Sequence, residues 1–201
     1  MRKTAFLPCV PTRGERVPSH PDWIYEVKHN GYRLIVQRDG KRVRLWTRNG
    51  YDWSGRFPLI TEAALRIKMD RFVVDGEAVL PGVEGISDFA GLHSRKFDAE
   101  VQFYAFDLLV SGGDDLRPQP LFLRKGALAR LLNRRIDGIM LNDFERGEIG
   151  PDLFKAACQM GLEGLVSKRR DRPYRAGRSP HWIKVKNPKS PAMNRAKDGG
   201  W

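Results

Sequence analysis

Residues 23 to 33 read Trp23-Ile-Tyr-Glu-Val-Lys-His-Asn-Gly-Tyr-Arg33 and run straight into Leu34-Ile-Val-Gln-Arg-Asp-Gly-Lys-Arg-Val-Arg-Leu-Trp-Thr-Arg48. Ile24, Glu26 and Lys28 alternate with Tyr25 and Val27, so a strand here projects Glu26 and Lys28 from one face. A carboxylate and an amine then line the same surface. Arg33 to Arg38 and Lys41 to Arg48 flank Asp39-Gly40, a dipeptide suited to a two-residue type I′ turn, which predicts an antiparallel hairpin.

The pattern continues on both sides of this stretch. Residues 1–22 hold four prolines and no steady period, and are expected to form an arm laid on the domain. Downstream, Pro58 to Lys68 has helix composition, and Arg71 to Leu80 is β-rich around Asp75-Gly-Glu77. Val101 to Val110 is nearly continuously apolar, as expected of a strand buried on both faces, with Asp107 interrupting it. Leu121 to Asn133 and Pro151 to Met160 read as amphipathic helices, the second closed by Gly161. Strands are expected at Gly164 to Lys168 and Trp182 to Lys186, and a loose tail after Pro188. One domain over residues 23–187 follows.

The chain has 201 residues, 41% of them hydrophobic, which is enough for one substantial core. Its formal net charge of +12 points to a polyanionic partner, with nucleic acid the expected one. Residues 161–201 carry 11 Lys/Arg against 3 Asp/Glu, so +8 of that charge lies in the last fifth. The two cysteines give no disulfide framework, and Cys158 is expected to be a buried free thiol in a helix. His20, His29, His93 and His181 lack zinc-ligand spacing, which leaves them as surface or packing residues. The sequence has neither an export signal nor an apolar run of about 18 residues, so a cytosolic protein with no membrane contact is expected.

Chemistry-bearing elements come in a fixed order: Lys28-His-Asn-Gly-Tyr-Arg33, Thr47-Arg-Asn-Gly50, Asp75-Gly-Glu77, Phe106-Asp107, Glu163-Gly-Leu-Val-Ser-Lys168 and Trp182-Ile-Lys-Val-Lys186. No P-loop is present. From about Pro8 to Asn187 this ordered set resembles the nucleotidyltransferase domain of ATP-dependent DNA ligases, especially the bacterial end-joining group.

The resemblance implies an α+β, ATP-grasp-like nucleotidyltransferase fold, with two antiparallel sheets flanked by helices and the nucleotide cleft between them. It implies that Lys28 attacks the α-phosphate of ATP, releases pyrophosphate and carries AMP to a DNA 5′-phosphate. An amine with a reference pKa of about 10.4 needs burial or nearby positive charge to act at neutral pH. By position, Glu26 contacts adenine, Phe106 stacks on it, and Arg33 and Glu77 hold the ribose. Arg48 lies near the sugar and nick. Glu163, with Glu77, organises Mg²⁺, and Lys168, Lys184 and Lys186 face the phosphates. Arg48, Arg169, Arg170 and Arg172 are the expected DNA contacts. Nicked or broken double-stranded DNA is the implied substrate, in repair or recombination, and a monomer is expected in a bacterial-type cytosol.

Two departures qualify the resemblance. The family has aspartate where this chain has Asn30, which removes a negative charge beside Lys28 and is expected to weaken sealing more than AMP loading. The 15 residues after Lys186 are too few for the OB domain that usually follows, which leaves three alternatives: a partner supplies that clamp, the enzyme is slow or only partly active, or catalysis is lost. Two other readings stay open: a binding module that holds ATP and DNA without sealing, and an RNA ligase or capping-type guanylyltransferase.

Overall fold

The computed structural model describes residues 5–190. The tail expected after Pro188 therefore lies mostly outside the described residues.

Eleven strands and four helices are described: β1 (Cys9–Arg13), β2 (Trp23–Val27), β3 (Tyr32–Asp39), β4 (Arg42–Thr47), α1 (Pro58–Arg66), β5 (Arg71–Val79), α2 (Phe89–Ser94), β6 (Gln102–Ser111), β7 (Asp114–Asp115), α3 (Leu121–Leu131), β8 (Ile139–Leu141), β9 (Phe144–Arg146), α4 (Gly150–Gln159), β10 (Gly164–Arg169) and β11 (Gly177–Lys186). They build two sheets, in the orders β1-β11-β10-β2-β9 and β4-β3-β5-β6-β7, with β8 added beside β6. The fold is α+β, as expected. Each otherwise antiparallel sheet carries one parallel pairing, β1 with β11 and β8 with β6.

Apolar side chains sort these elements into four layers. Leu34, Val36, Phe103 and Leu108 pack one face of the second sheet on Ile60, Ala63 and Ala64 of α1 and Leu128 of α3. Ile35, Val73, Phe106 and Leu109 turn the other way, and meet Cys9, Tyr174 and Trp182 between the sheets. Tyr25, Leu165 and Val185 cover the outer face of the first sheet against Ala157 of α4. The inter-sheet cluster stops short of one end, and there the cleft opens. No helix among the described residues is long and apolar enough to cross a membrane.

Local chemistry explains the details that matter for the cleft. The hairpin forms, but Asp39 pairs with Arg42, so the turn is Gly40-Lys41 rather than Asp39-Gly40. Only Gly40 takes positive φ, at 60°, the pattern of a type II′ turn instead of the expected I′. Strands β5 and β6 shift register twice: Leu109 is left unpaired between Val73 and Val74, and Phe106 is left unpaired where Asp75 faces Asp107 and Gly76 faces Ala105. Each extra residue is a β-bulge, and at the second the Phe106 ring lies in the inter-sheet space. Gly76 is required there, since a Cβ would sit 2.4 Å from the Phe103 ring. Asp107 interrupts β6 because it pairs with Arg124, both side chains being 0% exposed.

The arm is also built into the sheet, through β1 alongside β11. Of the two cysteines, Cys9 is the buried one and Cys158 is half-buried, the reverse of the emphasis read from the sequence. An apolar helical pattern marks one face of α4, and Cys158 lies at its margin.

Candidate active site

Strand β2 ends at Val27, and the chain leaves it with the Lys28 N–H donating to Gly164 O at 2.9 Å. Gly31 then passes β5 so closely that a Cβ would lie 2.1 Å from Ala78 O. The Lys-x-x-Gly spacing thus brings the lysine to the cleft and lets the chain cross to β3 of the other sheet. Glu26, Lys28, Arg33, Arg48, Glu77, Phe106, Lys168 and Lys184 all line one cavity of about 190 Å³. Eight residues chosen from scattered motifs converge on one space.

At its entrance the Lys28 Nζ lies 2.7 Å from Glu163 Oε2, and Lys186 Nζ is 3.3 Å from Glu163 Oε1. Glu163 bridges two lysines. It also borders a smaller cavity of about 60 Å³, shared with Lys28, Asn30 and Ser87. The Asn30 N–H points to Ser87 Oγ at 3.4 Å. Lys184 has its pKa lowered by burial first and then by Lys28, Lys186 and Arg48, which places four cations at this end of the cleft.

Glu77 faces both Lys28 and Glu163. Its surroundings draw its pKa up to about 7, chiefly by desolvation, with Lys28 and Arg33 opposing and Glu163 and Asp75 adding to the rise. Between the ordinary value of 4.5 and about 7, the native state holds a proton that the unfolded chain has lost, so stability falls as pH rises through that window. Glu77→Gln is expected to be more stable than the unmodified chain at about pH 8, with the gap closing near the ordinary carboxylate pKa. Thermal unfolding across pH reads this, and parallel curves for the two proteins would contradict it.

At the deep end Glu26 is 2% exposed and clamped by three donors. Lys168 Nζ reaches Oε2 at 2.7 Å, Asn142 Nδ2 reaches the same oxygen at 3.2 Å, and Lys125 Nζ stands 2.5 Å from Oε1. The two lysines hold the carboxylate below its ordinary pKa, outweighing the opposing and larger effect of desolvation. Burial draws Lys168 down to about 8 despite Glu26 beside it. The Lys168 ammonium also lies 4.0 Å from the Phe106 ring centroid and 4.1 Å from that of Trp182.

Arg33 stands on β3 and lines the cleft. It faces Glu77 across the β3–β5 ladder, but its guanidinium is held bidentate by Asp75 at 2.5 and 2.6 Å. Asp75 is 0% exposed and also accepts the Tyr174 hydroxyl, at 2.6 Å. Arg33 is thereby fixed 4.3 Å from the Phe106 ring centroid. Arg169, Arg170 and Arg172 do not line the cleft. Arg169 pairs with Asp22 and Asp171, Arg172 with Asp171, and Arg170 lies over Phe122.

Several cleft residues carried no motif. His29 packs against Tyr104 with centroids 4.4 Å apart and rings tilted by 34°, bonds Asn142 Oδ1 at 2.8 Å, and has its pKa lowered by burial. It is therefore a cleft residue as well as a packing one. Lys125 did leave a signal, because Leu121, Lys125 and Leu128 fall on one helical stripe and all three are buried. A charge in that row needs a partner. Asn142 left none.

Two sheets facing across a cleft of lysine, carboxylate and aromatic side chains define an α+β nucleotidyltransferase domain. Solved structures of that class share the fold. The mycobacterial DNA ligase D complexed with ATP and MES matches with a TM-score of 0.80 and 32% identity, over 90% of this chain and 60% of that one. The ligase domain of Mycobacterium tuberculosis LigD matches with a TM-score of 0.80 and 33% identity, over the same shares. The chain belongs to the ATP dependent DNA ligase domain family, whose model covers residues 15–186. It is 37% identical over 172 residues to the multifunctional non-homologous end joining protein LigD of Pseudomonas aeruginosa, spanning 84% of this chain and 20% of that protein. The chain thus matches about a fifth of that relative's length.

Proposed function

We propose that this domain takes AMP from ATP onto Lys28 and passes it to the 5′-phosphate of nicked or broken duplex DNA. The observation that carries the reading is the 2.7 Å approach of Lys28 Nζ to Glu163 at the mouth of a cavity whose floor is Glu26, Phe106 and Lys168. An amine stands next to a proton acceptor and beside cations suited to phosphates.

In the first step the Nζ lone pair attacks the α-phosphorus. An N–P bond forms, the bond to the bridging oxygen breaks, and pyrophosphate leaves with the electron pair. Glu163 Oε2 is positioned to take the amine proton. Lys184, Lys186 and Arg48 offset the charge developing on the phosphate oxygens, where electrostatic positioning does most of the work. In the second step a DNA phosphate oxygen attacks the same phosphorus, the N–P bond breaks, and Lys28 regains a proton. Attack by a 3′-hydroxyl then seals the strand and expels AMP.

Among the described residues no cluster of three or more His, Cys, Asp or Glu forms a metal cage. Glu77 and Glu163, close enough for each to feel the other's charge, fit a hard ion shared with phosphates and water. Mg²⁺ held there would supply charge neutralisation at the phosphates.

Incubation with α-labelled ATP and Mg²⁺ should leave covalent label on the protein, and a chase with nicked duplex should discharge it to DNA. Absence of label would overturn the reading. Asn30 lies on the smaller cavity beside Lys28 and Glu163, where a carboxylate would add an acceptor for a bound water or cation. Asn30→Asp is expected to raise sealing roughly tenfold, the scale of one charge-assisted hydrogen bond, while changing AMP loading less. Equal sealing by the two proteins in single-turnover assays would contradict this.

A further inference from the structure

Strand β4 sends its side chains to two faces. Val43 and Leu45 enter the core against α1 while Trp46 packs on the cluster between the sheets, so Arg42 and Arg44 share the Trp46 face. Arg48 follows directly after β4 and lines the nucleotide cavity. Along the same strand lies a second cavity of about 640 Å³, bordered by Gln37, Arg42, Arg44, Trp46, Tyr51 and Asp52. That volume lies in the range of small-molecule sites, and nucleotidyl transfer uses none of these residues. The cavity begins two residues from Arg48 and ends six residues away, which is about 7 to 20 Å at the rise of a strand.

The walls are fixed by bonds within the protein. Gly50, at φ 81°, turns the chain back along β4, where the Thr47 N–H donates to Tyr51 O and the Trp53 N–H to Leu45 O, both at 2.8 Å. Trp46 Nε1 donates to Gln37 Oε1 at 3.0 Å, which sets the indole. Tyr51 is 51% exposed, and its side chain has no hydrogen bond or ring contact among the described residues. Charge in the pocket is nearly balanced. Arg44 is held by Asp52 at 2.9 Å, and Asp39 by Arg71 at 3.2 Å. Arg42 is left exposed, with no side-chain partner among the described residues.

This chemistry selects among nucleic-acid ligands. A run of duplex phosphates calls for a row of free cations, and the pocket offers Arg42. A duplex surface is also convex, and its stacked bases present no face to Tyr51. One nucleotide out of the stack presents both a π-face for the aromatic wall and a phosphate for the arginine, the combination that single-strand sites use.

We propose that this cavity receives an unpaired DNA nucleotide close to the break, with its base on Tyr51 and its phosphate at Arg42. The proposal rests on DNA being the substrate of the neighbouring cleft. Since a duplex rises about 3.4 Å per base pair, the unpaired position falls about two to six nucleotides from the joint. The site lets the domain hold ends whose strands do not pair fully up to the break.

Equilibrium binding of the full chain without ATP tests this, by fluorescence anisotropy of labelled nicked duplexes. One duplex is fully paired, and the others carry a single bulged thymidine at successive positions from the nick, on each strand in turn. At one or more positions the bulged duplex should bind at least about fivefold more tightly, the low end for one base stacked on an aromatic ring. Tyr51→Ala, which removes an exposed and unpartnered ring, should abolish that preference and leave binding of the paired duplex unchanged. Arg42→Gln should lower the slope of log affinity against log salt by about one for the bulged duplex alone. Equal binding of paired and bulged duplexes at every position would overturn the inference. So would equal weakening of both by Tyr51→Ala, which would make the surface a duplex contact. Failure to bind the paired duplex at all would overturn the DNA reading on which the inference rests.

Discussion

Lys28→Ala is expected to reduce covalent loading of AMP to background, a loss of at least about 10⁴-fold, on the scale seen when a nucleophile is removed. The other lysines of the cleft should not substitute. Lys168 is 2% exposed and held between Glu26 and two aromatic rings, so its amine cannot reach a phosphate at the mouth without leaving buried partners. Lys184 stands among like charges and suits a spectator cation. Lys186 shares Glu163 with Lys28 but does not line the main cavity. Lys28→Ala should keep its fold, since the side chain is 20% exposed and its main-chain bond to Gly164 does not depend on the side chain. Gel assays of labelled protein, with unfolding curves as control, read the effect. Loading within tenfold of the unmodified chain would mean another residue is the acceptor.

Asp107→Ala is the change expected to cost most stability. Arg124 Nε and Nη2 reach Asp107 at 2.8 and 2.9 Å with neither side chain exposed, and Nη1 also donates to the Gln119 and Arg172 carbonyls. Removing the carboxylate leaves a guanidinium buried without its counter-charge, at about 3–5 kcal/mol. A domain of ordinary stability, about 5–15 kcal/mol, is left marginal by that loss. Removing both charges, in Asp107→Leu with Arg124→Met, should recover much of the loss, because two apolar groups of similar size avoid the desolvation penalty. Urea unfolding distinguishes the cases. A single mutant within about 1 kcal/mol of the unmodified chain would show that the pair adds little.

The strands and helices with strong periodicity were legible along the chain. The hairpin, α1, β5, β6, α3, α4 and β10 all follow from alternation, proline and glycine placement, and apolar stripes. Strand β11 was legible in its second half only, since Gly177 to His181 lacks an apolar period. Strands β1, β8 and β9 were not legible, because each is five residues or fewer and is held by partners far away in sequence, such as Cys9 opposite Gly177. Short edges owe their existence to the sheet that receives them, not to their own composition.

The site divides the same way. Lys28, Glu26, Phe106 and Lys184 could be placed in one cleft because a recognisable motif carried each of them. The partners that orient them could not. Asp75 grips Arg33 and accepts the Tyr174 hydroxyl, on the same strand face as Val73 and Glu77. Lys125 and Asn142 close on Glu26 from α3 and from the turn between β8 and β9, across 99 and 116 residues of chain. Arg169 and Arg172, two of the three arginines expected to contact DNA, each pair with Asp171 at the end of β10. Charge counted along a sequence does not record which charges have already found each other.

The central claim concerns one atom, Lys28 Nζ, and peptide mapping by mass spectrometry tests it most directly. After incubation with ATP and Mg²⁺ and proteolysis under conditions that preserve the N–P bond, one adenylyl group should be found on the peptide containing Lys28. An adenylyl group on Lys168, Lys184 or Lys186 instead, or none on any lysine, would contradict the account.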